Sequence, residues 1–207
     1  MSETQPVTVD STSQGKKSPT ETLLQFTRLY TQQGWAVFPV HIEIEGKCSC
    51  GRSACPNIGK HPRTDHGFTD ATTNIDQIRT WWEFEFPVSN IGIRTGQESG
   101  LVVLDIDPRH GGDETVRQLE AQHEPLPQTA TVLSGGGGRH LYFQHPGFRV
   151  PTIGGKLGPG LDVRGDGGCI VAPPSLHVSG GQYRWAPGKN PDIVPLAPLP
   201  AWLVDLL

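Results

Sequence analysis

The segment at residues 101–107, with the sequence LVVLDID, constrains the fold more than any other part of the chain. A continuous apolar run of this kind is typical of a strand that is buried on both faces. The run ends in two carboxylates separated by one residue. Because side chains alternate along a strand, Asp105 and Asp107 should point to one face and Ile106 to the other.

Two carboxylates side by side repel each other, and a divalent cation between them removes that repulsion. The pair Asp105 and Asp107 therefore indicates a site for Mg²⁺ or Mn²⁺. The alternative is that the strand simply ends here and both acids are solvated loop residues, as Pro108 just beyond them would allow. An Asp-x-Asp pair is a common string, so its interpretation depends on the motifs that accompany it.

A glycine-rich segment follows at residues 134–143, with the sequence SGGGGRHLYF. Consecutive glycines let the backbone approach a ligand closely and expose N–H donors, and a cationic pair follows at the start of a predicted strand. This arrangement suits a triphosphate, although the Gly-Lys-Ser/Thr ending of a P-loop is absent. The alternative is a flexible hairpin. The candidate nucleotide-binding residues here are Ser134, Gly138, Arg139 and His140.

A third motif lies at residues 161–168, with the sequence LDVRGDGG. Asp162 stands at the edge of a short apolar strand and could complete a site of three carboxylates. Arg164 falls on the same face two residues later and is a further candidate for nucleotide binding. Asp166 lies among glycines and is interpreted as a turn former.

Three of the four cysteines lie within eight residues, and in a reducing compartment this spacing favours metal binding over disulfides. Zinc takes four sulfur or nitrogen ligands in a tetrahedron, which short loops can supply without a core. The candidate ligands are Cys48, Cys50, Cys55 and His61. His66 or His41 are alternative fourth ligands, and unligated thiols are the remaining alternative. Cys169 lies in an apolar strand and is interpreted as a core residue.

The chain should form one mixed α+β domain, since 26 Gly and 19 Pro indicate many turns. Residues 1–17 are polar and are predicted to form a disordered tail. Residues 18–207 are expected to form the catalytic domain, which a polar, Cys-rich insert interrupts at about residues 43–66. Capping signals predict helices from Ser18 to Gly34 and from about Asn74, and a third helix is expected at 113–122. Strands are expected at 35–40, 91–94, 101–107, 130–133, 140–144, 161–164, 169–172 and 182–185, the second and third as a hairpin turned at 96–100.

The formal net charge of −4 excludes a general polyanion-binding surface. Residues 129–190 contain six basic residues against two acidic ones, so this segment is expected to face phosphates. No apolar run approaches the roughly 20 residues of a membrane span, and the N-terminus lacks the apolar core of a signal peptide. We therefore expect no membrane partner and a cytoplasmic location.

The three motifs at 105–107, 138–140 and 161–162 resemble, in order and context, those of the archaeo-eukaryotic primase superfamily. The similarity is greatest to its primase-polymerase branch, which occurs in plasmid and phage replication proteins. The segments GKHP at 59–62, WW at 81–82, NIGIRTG at 90–96 and APPS at 172–175 are also similar to this branch. The resemblance extends from about residue 22 to residue 185.

This resemblance implies a two-part α/β catalytic domain around a strand-rich cleft, with an RRM-like module and a small zinc-binding insert. It implies a DNA primase/polymerase that joins nucleoside triphosphates on a single-stranded DNA template by a two-metal mechanism. A replicative helicase domain or protein is a candidate partner. The implied ligands of Mg²⁺ or Mn²⁺ are Asp105, Asp107 and Asp162. His140 would contact the incoming triphosphate, and Arg139 and Arg164 are further candidates for nucleotide contacts.

Two other functions would use parts of the same pattern. A catalytically inactive, zinc-containing nucleic-acid-binding module would not need three acids that repel phosphate. A metal-dependent nuclease would use the same carboxylates on a phosphodiester, but the glycine-rich turn and His140 favour a triphosphate substrate.

Overall fold

The computed structural model describes residues 18–207 and combines helices with two main antiparallel sheets. The predicted disordered tail at residues 1–17 lies outside the described residues. The helices are α1 (Pro19–Gln32), α2 (Ile75–Arg79), α3 (Gly112–Gln122) and α4 (Ala201–Asp205). Short 3₁₀ helices occupy Gly67–Asp70 and Pro108–His110, and a π-helical turn at Thr80–Glu85 continues α2. The predicted mixed α+β class is confirmed.

Twelve strands connect these helices in the described part of the chain. They are β1 (Val37–Val40), β2 (Glu43–Ile44), β3 (Lys47–Cys48), β4 (Asn90–Arg94), β5 (Leu101–Ile106), β6 (Thr131–Leu133), β7 (Arg139–Gln144), β8 (Ile153–Gly154), β9 (Leu161–Arg164), β10 (Cys169–Ala172), β11 (Arg184–Trp185) and β12 (Ala197–Pro198). The small sheet has the order β1-β4-β10, and the large sheet has the order β11-β6-β7-β5-β9-β8, with β12 parallel to β7. Strands β2 and β3 form a separate hairpin.

The helix starts follow their capping signals. Ser18 and Glu21 form a capping box at α1, and the Asn74 side chain accepts hydrogen bonds from the first turn of α2. The π-helical turn then widens the helix over the paired tryptophans. Both Trp81 and Trp82 are consequently buried, although neighbouring residues of an α-helix normally face different directions.

Strand β5 is buried on both faces, as its continuous apolar sequence predicts. Leu101 and Val103 pack into the core formed with α1, α2 and the small sheet. Val102, Leu104 and Ile106 pack into a second core on the opposite face of the large sheet, with residues of α3 and α4. The strand therefore joins the two hydrophobic cores, and the position of Asp105 follows from its alternation.

The expected hairpin of β4 and β5 is wrong. Strand β4 lies between β1 and β10 in the small sheet, whereas β5 lies between β7 and β9 in the large one. Only a single bridge, Gly96 to Leu101, remains between them. The backbone N–H of Thr95 instead donates to Gly168, and its hydroxyl donates to Gly165. These contacts turn the chain away from β4 and into the second sheet.

The insert leaves the end of β1 and returns to the same place. The backbone N–H of His41 donates to the carbonyl of His61 (2.9 Å), and that of Arg63 donates to Pro39 (2.9 Å). The side chain of Asn90 in β4 donates to the carbonyls of Gly59 and Leu176. Since Asn90 is buried, these bonds fix the returning end of the insert against the small sheet.

None of the helices in residues 18–207 is long and apolar enough to cross a membrane.

Gly92 offers a test of the small sheet. It pairs with Phe38 across β4 and β1, and a Cβ added at position 92 would lie 2.3 Å from the buried Phe38 ring. Gly92→Ala should therefore lower the free energy of unfolding by about 1–3 kcal/mol through overpacking. Chemical denaturation measures this, and Gly92→Ala in a Phe38→Leu background should cost less. Equal costs in both backgrounds would contradict the contact.

Candidate active site

A cleft of about 580 Å³ lies between the two main sheets. The small sheet contributes side chains of β1 and β10 to its wall, and the large sheet contributes β5, β7 and β9. The lining residues include Phe38, Val40, Lys60, Asp105, Asp107, Arg109, His110, Ser134, Gly138, His140, Asp162, Arg164, Cys169, His177 and Tyr183. The polar groups come chiefly from the large sheet and from loops at the rim.

Three of the predicted site residues form one row across the large sheet. Asp105 of β5 is in register with His140 of β7 on one side and with Asp162 of β9 on the other. Residues directly opposite in antiparallel strands present their side chains to the same face. Side chains separated by as many as 57 residues in sequence therefore lie beside one another in the cleft.

Arg164 bridges two of the carboxylates. Its guanidinium lies 2.8 Å from Asp162 Oδ2 and 3.7 Å from Asp105 Oδ2. Asp162 also accepts a hydrogen bond from the backbone N–H of Gly155 (3.0 Å). The Arg164 guanidinium is thus within reach of both carboxylates, and its positive charge offsets part of the repulsion between them.

Asp107 lies just beyond the end of β5 and is held by the 3₁₀ turn that follows. Its carboxylate accepts two hydrogen bonds from the Arg109 guanidinium (2.9 and 3.1 Å) and contacts His110 Nδ1 at 2.9 Å. The hydrogen bonds from Arg109, helped by His110, hold the pKa of Asp107 well below its usual range. Asp107 is therefore a carboxylate at any pH at which the protein would work.

The donor set of these three acids suits a hard divalent cation, since carboxylate oxygens are the ligands that Mg²⁺ prefers. Their oxygens do not converge on one point in this structure. Within residues 18–207, the only group of three or more such side chains whose ligand atoms lie within 4.8 Å of one another is elsewhere, in the insert. Arginine side chains instead neutralise the acids, through Arg164 and Arg109.

His140 is buried at the base of the cleft, with 6% of its surface exposed. Its Nε2 lies 3.5 Å from Asp105 Oδ1, and its ring packs against Tyr183. Burial lowers the pKa of His140 below its ordinary value, although the Asp105 carboxylate acts in the opposite direction. The imidazole is therefore neutral near pH 7 and can donate one N–H.

The glycine-rich turn is closed by its own hydrogen bonds. Ser134 N–H donates to the carbonyl of Gly138, and Gly138 N–H donates to the Ser134 hydroxyl (both 2.9 Å). A Cβ added at Gly135 would lie 2.5 Å from the backbone of Gly181. The glycines thus permit close packing of two loops at the rim of the cleft. Some of their N–H groups donate hydrogen bonds within the turn itself.

Arg139 does not line the cleft. Its guanidinium pairs with Asp113 in the first turn of α3, on the opposite face of the large sheet. Alternation along β7 explains this, because His140 takes the cleft side and its neighbour must take the other. Of the six basic residues in the segment 129–190, only Arg164 lines the cleft. The expectation that this segment faces phosphates as a whole is not met.

The four predicted zinc ligands converge in the insert, with their ligand atoms all within 4.8 Å of one another. His61 Nε2 lies 3.3 Å from Cys48 Sγ and 3.5 Å from Cys55 Sγ. A tetrahedral zinc ion with bonds of about 2.3 Å to sulfur and about 2.0 Å to nitrogen separates such atoms by about 3.5 Å. Burial alone would raise the pKa of Cys48, but backbone hydrogen bonds lower it to about 6, which favours the thiolate that zinc requires.

The alternative ligands have other contacts. His41 packs against the His61 ring, and its Nδ1 lies 2.8 Å from the Ser49 hydroxyl. His66 pairs with Asp70 and is outside the group. Cys169 lies on β10 at the cleft wall, where burial raises its pKa. The insert therefore contains one closed Cys₃His group.

Comparison with protein families identifies the family of this chain. The sequence model described as "Bifunctional DNA primase/polymerase, N-terminal" matches residues 27–202, which is most of the chain. The chain belongs to this family. Membership supports DNA primase/polymerase activity in general, with DNA and nucleotides as substrates. A search of curated proteins finds no significant match.

Several polar residues of the cleft were not among the predicted site residues. Arg109 and His110 follow Asp107 directly, and the turn signal of Pro108 could have indicated that they fold back onto it. Lys60 comes from the insert, beside the ligand His61. His177 and Tyr183 come from the loop before β11, and no local pattern marks them, since only tertiary packing brings them to the cleft.

The zinc prediction has a matched control. The purified protein should contain about one Zn²⁺ per chain, because a closed Cys₃His group is the usual structural zinc site. Cys50→Ser should lose this metal, whereas Cys169→Ser, outside the group, should retain it. Metal analysis by mass spectrometry decides the matter, together with thiol titration. Metal-free wild-type protein with freely reactive Cys48, Cys50 and Cys55 would contradict the site.

Proposed function

We propose that this domain joins nucleoside triphosphates on a single-stranded DNA template by a two-metal mechanism. The observation that carries the proposal is the row formed by His140, Asp105 and Asp162 across three adjacent strands, with Asp107 beside it in the same cleft. A binding module would gain nothing from placing three acids where phosphates must enter. Membership of the primase/polymerase family supports the same assignment.

Asp105, Asp107 and Asp162 would hold Mg²⁺ or Mn²⁺. When bound, such ions would activate a 3′-hydroxyl and neutralise the charge on the leaving pyrophosphate. To hold metal ions, the carboxylates must release the arginine side chains that they contact in this structure. Arg164 would turn from Asp105 and Asp162, and Arg109 from Asp107, and both side chains could then meet phosphate oxygens of the nucleotide.

His140 would donate a hydrogen bond to the triphosphate. Because burial favours the neutral ring, one ring nitrogen carries a hydrogen that it can donate to a phosphate oxygen. Tyr183 packs on the ring and His177 packs on Tyr183, so the imidazole has little room to rotate. Ser134 and Gly138 line the same part of the cleft and would complete the contacts to the nucleotide.

Arg139 pairs with Asp113 in α3, away from the cleft, and is not proposed as a nucleotide contact. Zinc is proposed as a structural ion of the insert. The template would be single-stranded DNA in a replication system of plasmid or phage type, where a helicase could open the duplex.

Replacing the acids tests the catalytic assignment. Asp105→Asn, Asp107→Asn and Asp162→Asn keep the side-chain size but remove a charge that the metals need, so nucleotide addition should fall by at least about 100-fold. The measurement is primer extension and de novo synthesis on single-stranded DNA with Mg²⁺ or Mn²⁺ and each nucleotide pool. Circular dichroism should show that the variants remain folded.

Asp113→Asn is the matched control, because Asp113 is an exposed acid that pairs with Arg139 on the opposite face of the sheet. It should retain most activity. Shortening of a labelled strand instead of its extension would indicate a nuclease. Extension by the double variant of Asp105 and Asp107 would overturn the catalytic reading and leave the binding module as the better explanation.

Arg109 tests whether Asp107 is a metal ligand. Because metal binding must break the Arg109 pair, Arg109→Ala should tighten Mn²⁺ binding to zinc-loaded protein by about two- to fivefold. Isothermal titration measures the affinity. Arg117→Ala removes an equal charge from α3, outside the cleft, and should change the affinity little. Equal effects of both variants would mean that only net charge matters, and that Asp107 is not a ligand.

A further inference from the structure

We propose that Lys60 binds the phosphates of the incoming nucleotide and that the Cys₃His zinc site holds Lys60 in position. This inference rests on the proposed function only in that the ligand of the cleft is a triphosphate. It assigns the zinc insert a direct part in nucleotide binding, in addition to any part in folding.

Lys60 differs from the other cations of the cleft because it has no acid partner. Arg109 is paired with Asp107, and Arg164 with Asp162 and Asp105. In the part of the chain that the structure describes, no carboxylate lies within salt-bridge distance of the Lys60 ammonium. The residue is exposed and lines the cleft. An unpaired ammonium can take a phosphate without giving up an existing ion pair.

Lys60 lines the same cleft as His140 and His177. Burial is the main cause of the lowered pKa of His177, and the Lys60 ammonium lowers that pKa further. A phosphate that contacts His140 would therefore lie in the same cleft as the Lys60 ammonium.

The backbone on each side of Lys60 is fixed. Gly59 is buried, and its carbonyl accepts a hydrogen bond from Asn90 Nδ2 (3.2 Å). His61 supplies the nitrogen of the Cys₃His group, and its carbonyl accepts from His41 N–H. The N–H of Lys60 itself donates to Asn57 (3.1 Å). Lys60 therefore lies between an anchor on β4 and the metal site.

Zinc must supply most of the rigidity of this loop. Within residues 43–60, only Cys48 and Gly59 are buried, so the insert has almost no apolar core of its own. Without the metal, the free cysteines Cys48, Cys50 and Cys55 have no covalent or coordinate bond to His61, and only weak contacts of Cys48 and Cys55 with its ring join them. Loss of zinc should then release one of the two anchors of Lys60 and raise the entropic cost of placing its ammonium on a phosphate.

The test is equilibrium binding of a non-hydrolysable deoxynucleoside triphosphate to the full chain, with no DNA present. Lys60→Ala should weaken binding roughly tenfold, the effect of losing one charge-assisted hydrogen bond. Lys60→Arg should restore most of the affinity. Lys47→Ala is the matched control, since Lys47 is an exposed cation of the same insert that does not line the cleft. Equal affinities of Lys60→Ala and Lys47→Ala would overturn the role of Lys60.

The zinc coupling needs a second comparison. Removing zinc with a chelator should weaken triphosphate binding of the wild type, and adding zinc back should restore it. In Lys60→Ala the same treatment should have little further effect, because the group that the metal positions is already absent. Reversible chelation avoids reliance on Cys50→Ser, which could unfold. Equal losses on chelation in both proteins would overturn the coupling.

Failure of this inference can be distinguished from failure of the proposed function. A wild-type protein that binds no triphosphate would overturn both. Triphosphate binding that is independent of Lys60, together with DNA extension that depends on Asp105, would overturn the inference alone. Binding that depends on Lys60 without any DNA extension would support the inference and overturn the catalytic proposal.

Discussion

The site depends on the backbone ladder that joins β5 to β7 on one side and to β9 on the other. The register of these two antiparallel pairs places His140, Asp105 and Asp162 in one row. A shift of one residue in either pair would turn a member of the row to the opposite face, because side chains alternate along a strand. The two hydrophobic cores on the faces of β5 hold this register, since slippage would expose Leu104 or Val103 and bury an acid.

The charges of the cleft are arranged around those acids. Arg164 and Arg109 contact the carboxylates in this structure, and each contact lowers the electrostatic cost of holding several acids between two sheets. The same contacts must be exchanged when a divalent cation enters, so the arginines become available when phosphates need partners. Lys60 stands outside this exchange, because it has no acid partner in the described chain. The cleft thus combines two arginines that are paired with acids and one lysine that is not.

The insert is stabilised by a different physical principle from that of the two sheets. The sheets enclose apolar side chains, whereas the insert is largely exposed and closes around four metal-binding atoms. Metal binding and a few backbone hydrogen bonds to β1 and β4 can order such a loop without a core. The position of the insert at the rim of the cleft then allows a structural ion to affect a binding surface.

The elements whose signals are local could be predicted from the sequence alone. The apolar run of β5 predicted a strand buried on both faces, the boundaries of β9 and β10 matched their apolar segments, and the Cys and His spacing predicted the metal-binding group. Capping residues likewise marked the start of α1 and α2. These features depend on neighbouring residues, and so does the mixed α+β class that they imply.

Strand pairing and the meeting of distant side chains depend instead on tertiary packing. Strands β4 and β5 are close in sequence, yet they belong to different sheets, because the turn between them is bound to Gly165 and Gly168 of a distant segment. The sequence motif predicts a nucleotide contact for Arg139 beside His140, but alternation places Arg139 on the other face of β7, where it pairs with Asp113. Lys60 and Tyr183 reach the cleft only through the packing of the insert and of the loop before β11. Long-range pairing is set by the burial of both sheets together, and a local pattern carries no record of it.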